Sequence, residues 1–203
     1  MTNKLKYFVG NWKMFGDFSS YKIIHKINRY IYKLKGSKNS KIVLCVPSTL
    51  IHLFRKKLKR KAICIGAQNC YHQEGYGPFT GAVSSGMLKK MGAEYIILGH
   101  SENRSEGETA QLIKKKIISA LNQKLNIIFC IGETYKDKER GRTFSVIRTQ
   151  IKSSLEKKFN KNKIILAYEP VWSIGTNKIP NIKDLQVVIK FIKNDFKKIF
   201  KTR

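Results

Sequence analysis

Ile164-Ile165-Leu166-Ala167-Tyr168-Glu169-Pro170-Val171-Trp172-Ser173-Ile174-Gly175-Thr176-Asn177-Lys178-Ile179-Pro180 is the stretch around which the rest of the chain is arranged. Ile164 to Tyr168 is a short apolar run, suited to a buried parallel strand. Glu169 stands at its C-terminal end. Pro170 stops the strand and biases Glu169 toward an extended backbone. The loop that follows has a stiff entry (Pro170, Val171, Trp172) and a flexible tip (Gly175, Thr176). Asn177 to Ile179 leads out of it, and Pro180 closes it. A carboxylate at a strand end, beside such a loop, suits a general base under a lid. A surface glutamate ahead of an ordinary proline-bounded loop is the alternative that these local features leave open.

Five further strand-then-helix units precede this one. Tyr7–Val9 predicts a strand, and Asp17–Lys35 a helix with Tyr21, Ile24, Ile27, Ile31 and Leu34 on one face and Gly36 as its stop. Ile42–Val46 is the second strand. Pro47-Ser48-Thr49 opens a helix whose Leu50, Leu53, Phe54 and Leu58 face inward. Ala62–Ile65 is the third strand, followed by a long loop from Gln68 to Gly81 and a short helix over Ser84–Met91 that stops at Gly92. Strand Tyr95–Leu98 leads to a helix over Glu106–Lys124. Strand Ile127–Ile131 leads to a helix over Lys138–Phe159, with Phe144, Ile147, Ile151 and Leu155 in one stripe. The last helix covers Asn181–Phe200 and turns Leu185, Val188, Ile189, Ile192 and Phe196 inward. This α/β alternation with near-continuous apolar strands implies a parallel sheet covered by helices. Periodicity does not choose between a doubly wound sheet and a barrel. A barrel gathers polar residues at its strand ends around one mouth, whereas an open sheet gathers them at a switch point.

Length and composition bound the rest. The 203 residues read as one domain, and a hydrophobic content of 42% excludes wholesale disorder. No apolar run reaches the roughly 18–20 residues that span a bilayer. Met-Thr-Asn-Lys-Leu-Lys leads straight into a strand without a signal-peptide core, so a cytoplasmic location without a membrane partner is expected. The four cysteines (Cys45, Cys64, Cys70, Cys130) form no CxxC pair, and no histidine cluster completes a zinc site. The formal charge of +28, from 41 Lys and Arg against 13 acids, first suggests a nucleic-acid partner. However, the lysines are spread along every helix and not gathered in one tail. They read as solvated surface that steers anionic substrates and sticks to polyanions in a salt-sensitive way. No specific nucleic-acid function is expected.

Four motifs decide the fold. Ala167 to Thr176 resembles the catalytic base and phosphate-gripping lid of the triosephosphate isomerase family. Asn11-Trp12-Lys13-Met14, Ile97-Leu98-Gly99-His100-Ser101-Glu102 and Cys130-Ile131-Gly132-Glu133 are similar to three further family motifs, in the family's order and approximate spacing. The resemblance runs from about Tyr7 to the last helix. It implies a TIM (β/α)8-type barrel with about six β/α units present. It also implies an intramolecular aldose-ketose isomerase of glycolysis and gluconeogenesis. That enzyme needs no cofactor and no metal, and it interconverts dihydroxyacetone phosphate and D-glyceraldehyde 3-phosphate. Carried over residue by residue, Glu169 is the base, and His100 is the neutral electrophile with a pKa lowered by a helix N-terminus. Lys13 is the fixed positive charge, Asn11 offers its amide to the substrate oxygens, and Glu102 holds Lys13. Cys130 packs behind the base, and Gly175 gives its N–H to the substrate phosphate. Thr80, at the tip of the long loop, is implied to reach into a neighbouring subunit of a homodimer.

The chain also departs from the pattern. A full barrel takes about 250 residues. The seventh and eighth units, whose turns hold most of the phosphate in the family, are not among these 203 residues. Losing three charge-assisted donors would cost roughly 4–9 kcal/mol, about three to six decades in binding or rate. A C-terminally incomplete barrel with two uncovered strand edges is therefore expected to be poorly soluble. A truncated, non-catalytic remnant is the main alternative, and a basic polyanion-binding module the more remote one. Ala82 and Asn103 replace a usual Glu and Arg in the family's dimer-contact region. Asn177 stands where a Gly is common at the lid's exit.

Overall fold

The computed structural model describes residues 5–33, 39–58 and 62–200. Six strands form one sheet: β1 (Lys6–Asn11), β2 (Ser40–Cys45), β3 (Cys64–Ala67), β4 (Tyr95–Leu98), β5 (Asn126–Ile131) and β6 (Ile164–Tyr168). They are parallel and lie side by side in sequence order, from β1 to β6. A doubly wound sheet reverses its strand order at a switch point. No reversal occurs here, so the sheet is six successive staves of a barrel wall, in keeping with the expected (β/α)8-type barrel with about six units present.

Side-chain alternation explains why the strands read as unbroken apolar runs. Val43, Cys45, Tyr95, Ile97, Ile128 and Cys130 pack together on one face, with Cys64, Ile165 and Ala167 against them. The residues between them, among them Leu44, Ile65, Ile96, Leu98, Ile127, Phe129 and Ile131, join the larger core under the helices. From β2 to β5 both faces are covered, so the middle of each strand is apolar, whereas β1 leaves Tyr7, Phe8 and Val9 exposed.

The helices are α1 (Tyr21–Lys33), α2 (Ser48–Lys57), α3 (Ser85–Lys90), α4 (Ser101–Ser105), α5 (Ala110–Asn122), α6 (Tyr135–Glu139), α7 (Thr143–Ser154) and α8 (Ile182–Phe200). A 3-10 turn at Phe18–Ser20 precedes α1. Asp17 caps it, accepting from the Ser20 N–H while the Ser20 hydroxyl accepts from the Asp17 N–H. The expected end of the first helix, with Leu34, Lys35 and the Gly36 stop, lies outside the described residues.

Two expected helices come out shorter, each preceded by a short helix. The helix expected over Glu106–Lys124 is α5, and α4 lies ahead of that range as an unexpected helix. Gly107, at φ +96°, turns the chain between them, and Thr109 caps α5 by accepting from the Leu112 N–H. The helix expected over Lys138–Phe159 is α6 and α7, parted at Gly141 with φ +66°, and Thr134 caps α6. Both corrections place a short helix immediately after a strand end. Ile189, expected to face inward, is 40% exposed. It lies with Leu185 in a shallow apolar groove beside Leu166 and Phe196.

Candidate active site

Strand ends bring the candidate residues to one place. Asn11 is the last residue of β1, and Lys13 follows two residues later. Lys13 has φ +52°, a left-handed backbone uncommon for lysine. The Asn11 side chain supports this turn, its Oδ1 accepting from the Lys13 N–H at 2.9 Å. Gln68, which follows β3, donates to the Lys13 carbonyl at 2.8 Å and to Asn11 Oδ1 at 3.3 Å. The turn therefore aims the lysine: Lys13 Nζ lies 2.7 Å from Glu102 Oε1.

His100 follows β4 through Gly99, whose φ of +71° turns the chain out of the strand. It occupies the N-cap of α4. Its Nδ1 accepts from the Glu102 N–H at 3.3 Å, and its Nε2 lies 3.0 Å from Glu169 Oε1. A lone pair on Nδ1 puts the proton on Nε2, so the ring donates toward Glu169. Glu102 Oε2 is a further 3.5 Å from Nδ1. Lys13, Glu102, His100 and Glu169 thus form one chain of contacts drawn from β1, β4 and β6.

Glu169 follows β6 and is mostly buried. Its Oε2 accepts from the Ser101 N–H at 3.2 Å, at the first turn of α4. Burial opposes its ionisation, but the bonds from His100, Ser101 and Cys130 outweigh burial and hold its pKa below the usual carboxylate value. At His100 the hydrogen bond to Glu169 raises the pKa above the usual imidazole value, with burial opposing. This corrects the expectation of a pKa lowered by the helix end. The α4 amide does meet Nδ1, but the adjacent carboxylate dominates in this arrangement. Burial and the Lys13 charge act the other way, toward the neutral imidazole.

The backbone behind Glu169 explains Gly132. A Cβ at Gly132 would lie 1.6 Å from the Glu169 carbonyl oxygen. Gln150 holds the same residue from both sides, accepting from the Gly132 N–H and donating to its carbonyl, each at 2.9 Å. Cys130 is buried on the inner face of the wall, and burial pushes its thiol pKa up, with the Glu169 charge adding to the effect. Its carbonyl accepts from Arg104, which also donates to the Gly99 carbonyl at 2.7 Å.

The loop after Glu169 enters through a 3-10 turn over Val171–Ser173. Glu133, 1% exposed, accepts from Trp172 Nε1 at 2.8 Å and from the Tyr168 hydroxyl at 3.1 Å. Gly175 has φ +68° at the exposed tip, and Asn177 has φ +57°. Asn is among the few non-glycine residues that tolerate this region, which accounts for its presence at a position where Gly is common. Thr80 is exposed in a turn, well separated in the chain from the residues above.

Sequence reasoning missed the roles of Glu133, Gln68, Arg104 and Gln150. Glu133 and Gln68 each follow an apolar strand, the position from which a barrel draws its site residues. No such signal marks Arg104 or Gln150, because their partners are backbone carbonyls and amides supplied by the fold.

The comparisons agree with this architecture. The family model described as triosephosphate isomerase matches residues 6–203. The triosephosphate isomerase of Dictyoglomus thermophilum is 39% identical over 200 residues, covering 97% of this chain and 79% of the relative. That of Aquifex aeolicus is 40% identical over 186 residues, covering 91% and 74%. Among solved structures, a triosephosphate isomerase from Bartonella henselae superposes with a TM-score of 0.86 at 32% identity, covering 96% of this chain and 77% of the other. The chain belongs to the triosephosphate isomerase family.

Proposed function

We propose that this chain acts as a triose-phosphate isomerase, moving a proton between the two carbons that flank the carbonyl and hydroxyl of dihydroxyacetone phosphate and D-glyceraldehyde 3-phosphate. The observation that carries the reading is the contact of Glu169 with His100 Nε2, with Lys13 and Glu102 alongside. Catalysis then divides among the strand ends. Glu169 leaves its bonds to Ser101 and His100 and takes a proton from carbon. The His100 Nε2–H, freed from Glu169, polarises the carbonyl oxygen. The Lys13 ammonium offsets the negative charge that develops on the enediolate. Asn11 orients Lys13 and presents its amide to the substrate oxygens. Gly175, at the lid's tip, gives its N–H to the phosphate. Cys130 packs against the base from the inner face of the wall.

The assembly is proposed as a cytoplasmic homodimer of single-domain subunits. Met14, 94% exposed, and the exposed Phe15 lie directly after Lys13, and Thr80 is exposed at its own loop tip. Apolar side chains of this size in water favour a protein contact that would also fix the Lys13 turn. No helix among the described residues is long and apolar enough to cross a membrane.

Turnover by the purified 203-residue chain, measured in both directions, tests the reading. Replacement of Glu169 by Gln should lower kcat by about 10²–10⁴-fold without changing the thermal melt by more than a few degrees. Equal turnover in the variant would overturn the role of Glu169. An absence of turnover in both would favour a non-catalytic member of the family.

A further inference from the structure

Both stems of the lid meet the same short helix. At the entry, the Lys138 ammonium lies 3.5 Å from the centre of the Trp172 ring. At the exit, the Lys178 ammonium lies 3.6 Å from the centre of the Tyr135 ring. Tyr135 and Lys138 are three residues apart on α6 and therefore share a face. The helix contributes one ring and one cation, and the lid contributes the complement of each. Such contacts are favourable because the ring face carries negative charge density.

The surroundings make this more than two surface contacts. The Trp172 ring is held at its edge by Glu133, which directly precedes the Thr134 cap of α6, and on its face by Lys138. The Thr176 hydroxyl donates to the Trp172 carbonyl at 2.7 Å and accepts from the Lys178 N–H at 3.3 Å. The stems are thereby tied to each other as well as to the helix. Gly175 itself stands in open space, since a Cβ there would meet nothing within 4 Å.

We infer that Tyr135, Lys138 and Lys178 are positioning residues that latch the lid by both stems, so that the two cation–ring contacts break and re-form together when the lid moves. Glu169 lies at the base of the entry stem, three residues before Trp172, so the latch also sets how readily the base is released from Ser101 and His100. The inference rests on the isomerase reading for its kinetic consequence, and on the lid's geometry alone for its physical one.

Fluorescence separates the two. Trp12 is the other tryptophan of the chain, so a Trp12→Phe background makes emission report Trp172 alone. Acrylamide quenching of Trp172 would be compared in Lys138→Met, Lys178→Met and Tyr135→Leu. Lys138→Arg and Tyr135→Phe keep a cation and a ring, and Lys136→Met serves as the charge control. Removing either cation–ring pair should raise the quenching rate constant by roughly two- to fivefold. The decisive variants are those at the exit: Lys178→Met and Tyr135→Leu should raise quenching at the entry, where neither touches Trp172. Lys138→Arg, Tyr135→Phe and Lys136→Met should match the parent. Unchanged quenching in the exit variants would overturn the coupled latch, as would equal effects of Tyr135→Phe and Tyr135→Leu. In turnover, the latch variants should shift kcat and KM together while leaving the pH profile in place. If the chain shows no turnover at all, the isomerase reading fails and the quenching series still decides the latch.

Discussion

At the scale of single residues, Glu169 and His100 stabilise each other's charged forms, and this has a consequence for pH. The His100 pKa is raised above its ordinary 6.5 chiefly by the hydrogen bond to Glu169. Its contribution to stability is full below about pH 6.5 and is lost as pH rises through the higher folded value. The Glu169 pKa is lowered below 4.5, with burial opposing and His100 prevailing. Its contribution is full above about pH 4.5 and is lost as pH falls through the lower folded value. The pair is therefore worth most between those limits. Thermal melts of His100→Gln against the parent should show the parent's advantage shrinking above about pH 6.5, and a constant difference up to about pH 9 would contradict the pairing. Gly132 supports the same site sterically. Gly132→Ala forces the Glu169 carbonyl away from a point 1.6 Å distant. A cost of roughly 1–3 kcal/mol in stability is expected, together with a loss of at least about 10²-fold in kcat, since misplacing the base by about 1 Å suffices for that. Denaturant melts and kinetics on the same preparation would check both.

At the scale of elements, the short helices after the strands are what make the site. α4 follows β4 through Gly99 and His100, and its first two amides meet Glu169 and His100. α6 follows β5 through the Cys130–Glu133 segment, and Glu133 receives the lid's tryptophan and the last residue of β6. Glu133→Ala would leave the buried Trp172 N–H and the Tyr168 hydroxyl without their acceptor, at roughly 1–3 kcal/mol each. For a chain of this size each kcal/mol moves the melting temperature by about 2–4 °C. A scanning-calorimetry shift below about 2 °C would show that these donors find other partners. Neither short helix is legible in the sequence as a separate element. Their apolar content is too slight for a helical periodicity to show. What ends each one is a left-handed glycine, Gly107 or Gly141, whose φ the sequence does not display.

At the scale of the whole molecule, two features dominate: uncovered sheet edges and net charge. Among the described residues β1 and β6 each pair on one side only. Phe8, 56% exposed, lies on β1, and the exposed Ile189 flanks the groove beside β6. Open parallel edges with apolar neighbours favour association. The 203-residue chain should therefore show concentration-dependent light scattering, reduced in a Phe8→Lys/Ile189→Lys double variant. A monodisperse parent at high concentration would contradict this. A dimer that survives in the double variant would have to use another surface, such as the one around Met14 and Phe15. The charge of +28 should draw an anionic substrate from a distance. The expected signature is a kcat/KM that falls as salt is raised from ~10 to ~150 mM, where the screening length shortens from about 30 to 8 Å. A flat salt profile would assign the lysines to solvation alone.

The sequence by itself determined the number of strands and where each falls along the chain, because strands buried in a parallel sheet are apolar runs bounded by Gly, Pro or polar residues. It also determined that Glu169, His100 and Lys13 stand just beyond strand ends, since position along the chain is local information. Only the tertiary structure decided that His100 meets Glu169 while Glu102 links it to Lys13, that His100 is held by a carboxylate more than by a helix end, and that Glu133 and α6 contact the loop after Glu169. Those contacts join residues far apart in the chain: 39 positions separate Glu133 from Trp172, and 68 separate Ser101 from Glu169. Their distances follow from parallel strands placed side by side, which no local pattern of residues encodes.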